Sequence, residues 1–362
     1  MKTSLLVVGL GVIAGCSNTP MSKVLPGLPS AKITPAASDP SDYILTSASL
    51  TSAQVASLEH DLTSNPGNLD IRAELLGYHW RSRISTSLSS SSTSDFNKHA
   101  LWVIRNAPDS PLAGSVLCEI DSILSSKEYE EAGKLWDGHL LSHPTNAAVA
   151  GNAANFFQLH DRAKALSALI TASQIEPSNA DWPLRIAEIY DLEMGGSEGA
   201  KRRGQAKSAL RFMDTAEKIL ASPMSADHLT STAQFAIESG DLARAERDIA
   251  KALTIIGKDS VNQPDSYHHA HLENGRIHLR RGNIKIAGTE LLEAANVPGS
   301  PPLSSFGPNM LLAKELLQKG EKTVVLKYFD ACAKFWSDNR LTQWKKTVRV
   351  GGVPDFGANE NY

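Results

Sequence analysis

The side chains best placed to do chemistry lie in one short run, Tyr267-His268-His269-Ala270-His271, with Glu273 and His278 beyond it. On a helix His268 and His271 share a face, and His278 follows two turns after His271. Imidazoles at such spacing can ligate a transition metal, but a site needs a further ligand from elsewhere. No His-Glu-x-x-His motif is present to supply metalloprotease chemistry. The run therefore predicts polar contacts to a partner from Tyr267, His268 and His271. A metal-binding protein or enzyme centred on His268, His271 and His278 is the alternative. No catalytic residue, metal or cofactor is expected.

Other candidates are binding features. Phe157, beside Phe156, and Trp182, after Asp181, could anchor a partner, because aromatic side chains dominate binding hot spots. Lys201-Arg202-Arg203, with Lys207 and Arg211 after it, could meet carboxylates or anionic lipid, although charge runs of this size usually form a solvated loop. Gly195-Gly196-Ser197-Glu198-Gly199 lacks the Gly-Lys-Ser/Thr ending and preceding strand of a phosphate-cradling loop. Nucleophile elbows and Cys-x-x-Cys pairs are absent from the sequence. A formal net charge of −3 gives no basic footprint for nucleic acid, and a small-molecule ligand is not expected. A protein partner is.

The chain begins with Lys2, an uncharged apolar run Leu5 to Ala14, and then Gly15-Cys16. This is the layout of a secretory signal peptide. The apolar run is too short to span a bilayer, which takes about 20 residues. The segment Ile13-Ala14-Gly15-Cys16 resembles a bacterial lipobox. That resemblance implies a signal peptide over 1–15 and lipid attachment at Cys16, hence a membrane contact through acyl chains. By the same resemblance, Ser17 rather than Asp after the cysteine implies the outer membrane, facing the periplasm. Residues 16–42, with Pro20, Pro26, Pro29, Pro35 and Pro40, read as a disordered tether. Cys118 and Cys332 are too far apart along a stack of near-neighbour contacts to pair, and are expected as buried free thiols.

Ala, Leu, Glu, Lys and Arg dominate the rest of the chain, the strong helix formers. A periodic pattern stands out between Asn146 and Asn179. Val149, Ala153 and Phe156 fall on a first helix, Ala165, Leu169 and Ala172 on a second, and Pro177 ends the unit. One period earlier come Val116, Ile120 and Ile123, then Ala132, Trp136 and Pro144. Ala132/Ala165 and Pro144/Pro177 are both 33 residues apart. These units resemble tetratricopeptide repeats, helical hairpins of 34 residues. Degenerate copies follow at the turns Gly240-Asp241, Gly282-Asn283 and Gly320-Glu321, with an insertion near 257–264. Another copy precedes them at Leu76-Gly77 and Trp80, its hairpin interrupted by a Ser85–Ser94 loop and closed at Pro108. Asp181-Trp182 opens a further one, with an insertion at 195–204.

The resulting expectation is an all-α, tetratricopeptide-like helical-hairpin solenoid winding as a right-handed superhelix over residues 43–350. It would hold seven hairpins between about 68 and 338, a leading helix at 51–64 and a capping helix near 339–348. Residues 351–362 are expected as an extended tail. In such repeats the first, or A, helices line the groove, which is where Phe157, Trp182, Tyr267, His268 and His271 are placed. The stretches Ser304 to Met310, Lys319 to Trp336 and Pro354 to Asn359 resemble a group of bacterial repeat proteins with no assigned activity. The functional expectation is a membrane-anchored scaffold of the cell envelope that takes a partner's peptide or helix in the groove. A self-associating structural component of the envelope is a further alternative.

Overall fold

A computed structural model describes residues 33–36, 38–84 and 90–360, so Cys16, the leader and most of the expected tether lie outside the described residues. Among these residues there are seventeen α-helices and no strand. The helices pack as successive antiparallel pairs. They are α1 (Asp42–Thr46), α2 (Ser52–Ser64), α3 (Leu69–Ile84), α4 (Ser90–Asn106), α5 (Ser126–Ser142), α6 (Ala147–Phe157), α7 (Arg162–Ile175), α8 (Asp181–Met194) and α9 (Gly199–Ile219). Then follow α10 (Ala226–Ser239), α11 (Leu242–Ile256), α12 (Pro264–Arg280), α13 (Ile284–Ala294), α14 (Pro301–Ser305), α15 (Leu311–Gln318), α16 (Lys322–Cys332) and α17 (Asn339–Arg349). The fold is a tetratricopeptide-like stack of helical hairpins. No described helix is long and apolar enough to cross a membrane.

Local chemistry explains the boundaries. Asn146, Asp161, Ser225 and Asp241 each cap a helix by accepting a backbone N–H of the first turn with the side chain, satisfying a donor that the helix cannot. The hairpin turns fall at Gly240, Gly282 and Gly320, whose φ values of 92°, 81° and 87° suit glycine alone among common residues. Small residues then allow the helices to cross closely. Ala153, Ala165, Ala172, Ala245, Ala252, Ala287 and Ala294 are fully buried, as are Val325, Phe329 and Cys332 in the matching slots. The core runs as three successive clusters along the stack, as expected when each repeat buries its apolar face on its neighbours. Cys118 and Cys332 are buried and unpaired.

Several segments differ from the sequence reading. Ser90–Ser94, expected in a loop, opens α4, and Gly199–Gly204, expected in an insertion before its helix, opens α9. The helix expected over Val116 to Ile123 does not form. Val116–Cys118 makes only a 3-10 turn, and Val116 and Ile123 are 40% and 86% exposed. Ser115 caps Leu117, and the Asp121 carboxylate accepts the N–H groups of Ile123 and Leu124. Such local bonds compete with helix. Six complete two-helix hairpins therefore stand among the described residues, with α5 lacking a regular partner. At the N-terminal side, Thr34 pairs with the chain at Gly67 and Leu69, so the part of the expected tether from Ile33 is fastened to the first hairpin.

The C-terminal tail is also not free. Phe356 and Asn359 are buried. The Asn359 side-chain amide donates to Phe306 O and Pro308 O, both at 3.1 Å, the Asn359 backbone carbonyl accepts Met310 N–H at 2.6 Å, and Glu360 pairs with Lys314 at 2.6 Å. The tail thereby seals the end of the solenoid, a face that would otherwise expose Trp344 and Phe329.

Candidate binding groove

On α12, positions Asp265, His269 and Glu273 follow one another at four-residue steps, so they form a single polar stripe. On α10, Asp227, Ser231 and Gln234 form another. With Asp191 on α8 and Arg202 on α9, these stripes line a cavity of about 340 Å³, closed at one end by Asn309, Leu311 and Glu360. The walls thus come mostly from A helices, the face expected to line the groove. Ser266 Oγ donates to Asp227 at 2.6 Å and Ser300 Oγ to Asp265 at 2.7 Å, which orients both carboxylates.

An ionic ladder forms the floor. Arg276, 1% exposed, donates to Glu273 at 2.9 Å and to Glu238, and lies 3.5 Å from Glu315. Arg280 bonds Glu315 at 2.6 Å, and Arg202 bonds Glu238 at 2.7 Å and the Met194 carbonyl at 2.7 Å. One deeply buried guanidinium therefore serves carboxylates from three A helices. Burial raises Glu273 to about 7, with the like charges of Glu315 and Glu238 adding to it against Arg276. Glu238 also suffers burial, but its bonds to Arg202 and Arg276 outweigh that and hold it near 2. Asp191 is pushed up to about 6 by burial, against the opposing pull of Arg202 and of the Gln234 amide at 3.0 Å. Burial lowers His269, and Asp265 and Asp227 only partly offset this. A cavity lined by groups with such displaced pKa values is a functional-site candidate on physical grounds.

The residues singled out from sequence lie elsewhere. Tyr267 donates to Glu293, and His271 Nδ1 lies 2.7 Å from Glu290, so both side chains turn toward α13. His268 is fully buried. Its Nδ1 lies 2.7 Å from Ala294 O, and its Nε2 accepts Asn309 N–H at 3.3 Å. Both imidazole nitrogens are thus engaged, which makes His268 a neutral pin between α13 and α15 rather than a ligand. Burial depresses it to about 3. His268, His271 and His278 do not converge on one point; the group of side chains close enough for one ion, among the described residues, lies at the N-terminal hairpin.

Phe157 is buried, edge-on to Phe156 at 5.1 Å, while Phe156 is half-buried and stacks on Tyr129. Trp182 is buried too. It presses on Gly151, where a Cβ would come within 2.7 Å of the indole, and its Nε1 donates to Glu176 at 2.9 Å. It fastens α8 to α6. Arg202, expected in a loop, lies on α9 and belongs to the ladder.

The groove face was missed by one or two residues of helix rotation, about 100° each. A sequence signal for it exists. Shifting the chain by the 42 residues between the Gly240 and Gly282 turns superposes Asp227, Ser231, Gln234 and Glu238 on His269, Glu273, Arg276 and Arg280. Polar residues fill the same slots of both repeats.

No protein-family profile matches the chain, and no curated protein matches it. Among solved structures it is similar to human IFIT1, determined as a dimer with m7Gppp-AAAA, at 17% identity and a TM-score of 0.46. That match covers 82% of this chain and 67% of the other. The m7Gppp-AAAA belongs to that structure.

Proposed function

We propose that this chain is a binding scaffold of the bacterial cell envelope, held to a membrane by lipid on Cys16, which takes an extended segment or helix of a protein partner in the A-helix groove. The observation that carries the reading is the cavity between α8, α10, α12 and α15. Glu273, Glu360 and Arg202 are already paired with Arg276, Lys314 and Glu238, whereas Asp191, Asp227 and Asp265 line the cavity with no ion pair among the described residues, so a partner with lysine, arginine or a free amine complements it. Charge complementarity of this kind sets specificity and association rate. The lipobox-like leader and the absence of a recognisable catalytic motif fit a binding role in the envelope, with the outer membrane favoured by Ser17.

The test is capture from detergent-solubilised envelopes, with the mature chain immobilised through residue 16 and retained proteins identified by mass spectrometry. A second bait carries Asp227→Asn and Asp265→Asn. A dominant partner retained by the first bait and lost with the second supports the proposal. Equal retention by both places binding outside the groove, and no specific retention removes the scaffold reading.

A further inference from the structure

At the other end of the stack, α2 and the first hairpin bring together three side chains that sequence spacing gives no reason to connect. Glu59 on α2, His79 on α3 and His99 on α4 each place a donor atom within 4.8 Å of the others. His99 is fully buried, His79 is 5% exposed and Glu59 is half-buried. The two imidazoles stack, their centroids 6.3 Å apart and their planes inclined by 17°.

His79 is the anomaly. Neither of its ring nitrogens has a hydrogen-bond partner among the described residues. A buried polar atom left unpaired costs about 1–3 kcal/mol, so native structures seldom keep one without a use. His99 is engaged but adaptable. Its Nε2 lies 2.7 Å from Glu59 Oε1, and Arg72 approaches its Nδ1 at 3.2 Å. Lys98 sits 3.3 Å from the other Glu59 oxygen.

We propose that Glu59, His79 and His99 form a binding site for one divalent transition-metal ion of the zinc type. Two imidazoles and one carboxylate are a ligand set that such ions favour, leaving a position for water or another ligand. Burial lowers both histidines, His99 to about 4, so each already carries the neutral imidazole a metal requires. Metal–ligand bonds of about 2.0–2.2 Å bring ligand atoms to roughly 3.3 Å from one another. The Glu59–His99 contact at 2.7 Å must therefore open slightly and any wider separation to His79 close, an adjustment that the half-buried Glu59 side chain shares with the two rings.

To give its Nε2 lone pair to the ion, His99 moves its hydrogen to Nδ1, with no net proton released. Arg72 then gives up that contact. It stays anchored through two bonds to Pro66 O, at 3.1 and 2.7 Å, and by its position 3.5 Å over the Trp102 ring. Lys98 is well exposed and can turn to solvent.

The experiment uses the untagged, full mature chain in detergent, stripped of metal and titrated with Zn²⁺ by calorimetry, and with Co²⁺ by visible absorption. One equivalent of Zn²⁺ should bind. His79→Phe should weaken binding about 100-fold or more and Glu59→Gln at least about 10-fold, the scale on which metal-site changes act. His271→Ala should bind as the wild type does. His79→Phe fills the same space without orphaned nitrogens, so its metal-free thermal unfolding should match or exceed that of wild type. Should it fail to fold, Glu59→Gln, at a half-buried position, decides. Absence of stoichiometric binding, undiminished binding by both variants, or loss in His271→Ala would overturn the site.

Discussion

Arg276 and Asp191 show two ways of placing charge inside a helical stack. Arg276 is buried, yet three carboxylates surround it, so removing the guanidinium would leave acids without a counter-charge, which costs far more than the pair itself contributes. Asp191 has no full partner. Its carboxylate accepts from the neutral Gln234 amide, and its folded pKa is raised, from 3.8 to about 6, because burial disfavours the charged form. An acid raised on folding contributes most below its unfolded value and loses that contribution as pH climbs through its folded value. Asp191→Asn keeps an acceptor for Gln234 and removes the charge. The variant should therefore gain stability relative to wild type as pH rises from about 4 to 6.5, by roughly 1–2 kcal/mol at the upper end. Paired urea denaturations across that range measure the difference. A constant difference between wild type and variant would mean that Asp191 is not desolvated.

At the level of elements, the last hairpin depends on a segment that follows it. Phe356 packs on Trp344, with ring centroids 4.9 Å apart, and on Phe329 at 6.1 Å. Nearby, Gly307 has a φ of 94° and lies where a Cβ would come within 2.5 Å of the Trp336 ring, so the loop passes that indole only as glycine. Phe356→Ala should cost about 3–5 kcal/mol, the usual range for a buried aromatic. Because repeats contact only neighbours, the loss should appear as faster amide exchange in α15, α16 and α17, with α6 and α7 unchanged. Uniform acceleration throughout the chain would show that the stack unfolds as one unit. Sequence carried the hairpins well wherever small residues recur, as at Ala153, Ala165 and Ala172, because close helix crossing admits little else. It failed at Val116 to Ile123, where apolar spacing matched a helix but Ser115 and Asp121 bonded the backbone locally. It failed also at the tail, since Asn359 finds Phe306 O and Pro308 O only after the chain has folded. The candidate groove was half legible. Its helix was identified, but histidine drew attention to the face that packs on α13, and the Glu59, His79 and His99 cluster had no periodic signature at all.

Across the whole molecule, the two proposed attachments are separated along the stack. Cys16 precedes the first hairpin, against which Thr34 is fastened, whereas the groove is built from α8 onward and closed by the C-terminal tail at Glu360. Solenoid repeats communicate only through neighbours, so a change at one attachment should leave the other intact. Two acyl signals give stable anchoring where a single chain does not, and Cys16 is where the lipobox-like segment places them. Cys16→Ser should then release the protein from sedimented membranes into the soluble fraction, and the released protein should retain its partner as well as wild type does. The groove variant carrying Asp227→Asn and Asp265→Asn should do the opposite, staying with the membranes while losing the partner. Fractionation followed by capture from each fraction reads both outcomes together. Persistence of Cys16→Ser on the membrane would show that the partner, not lipid, holds the chain there, and the double groove variant in the same background would then be the one to come free.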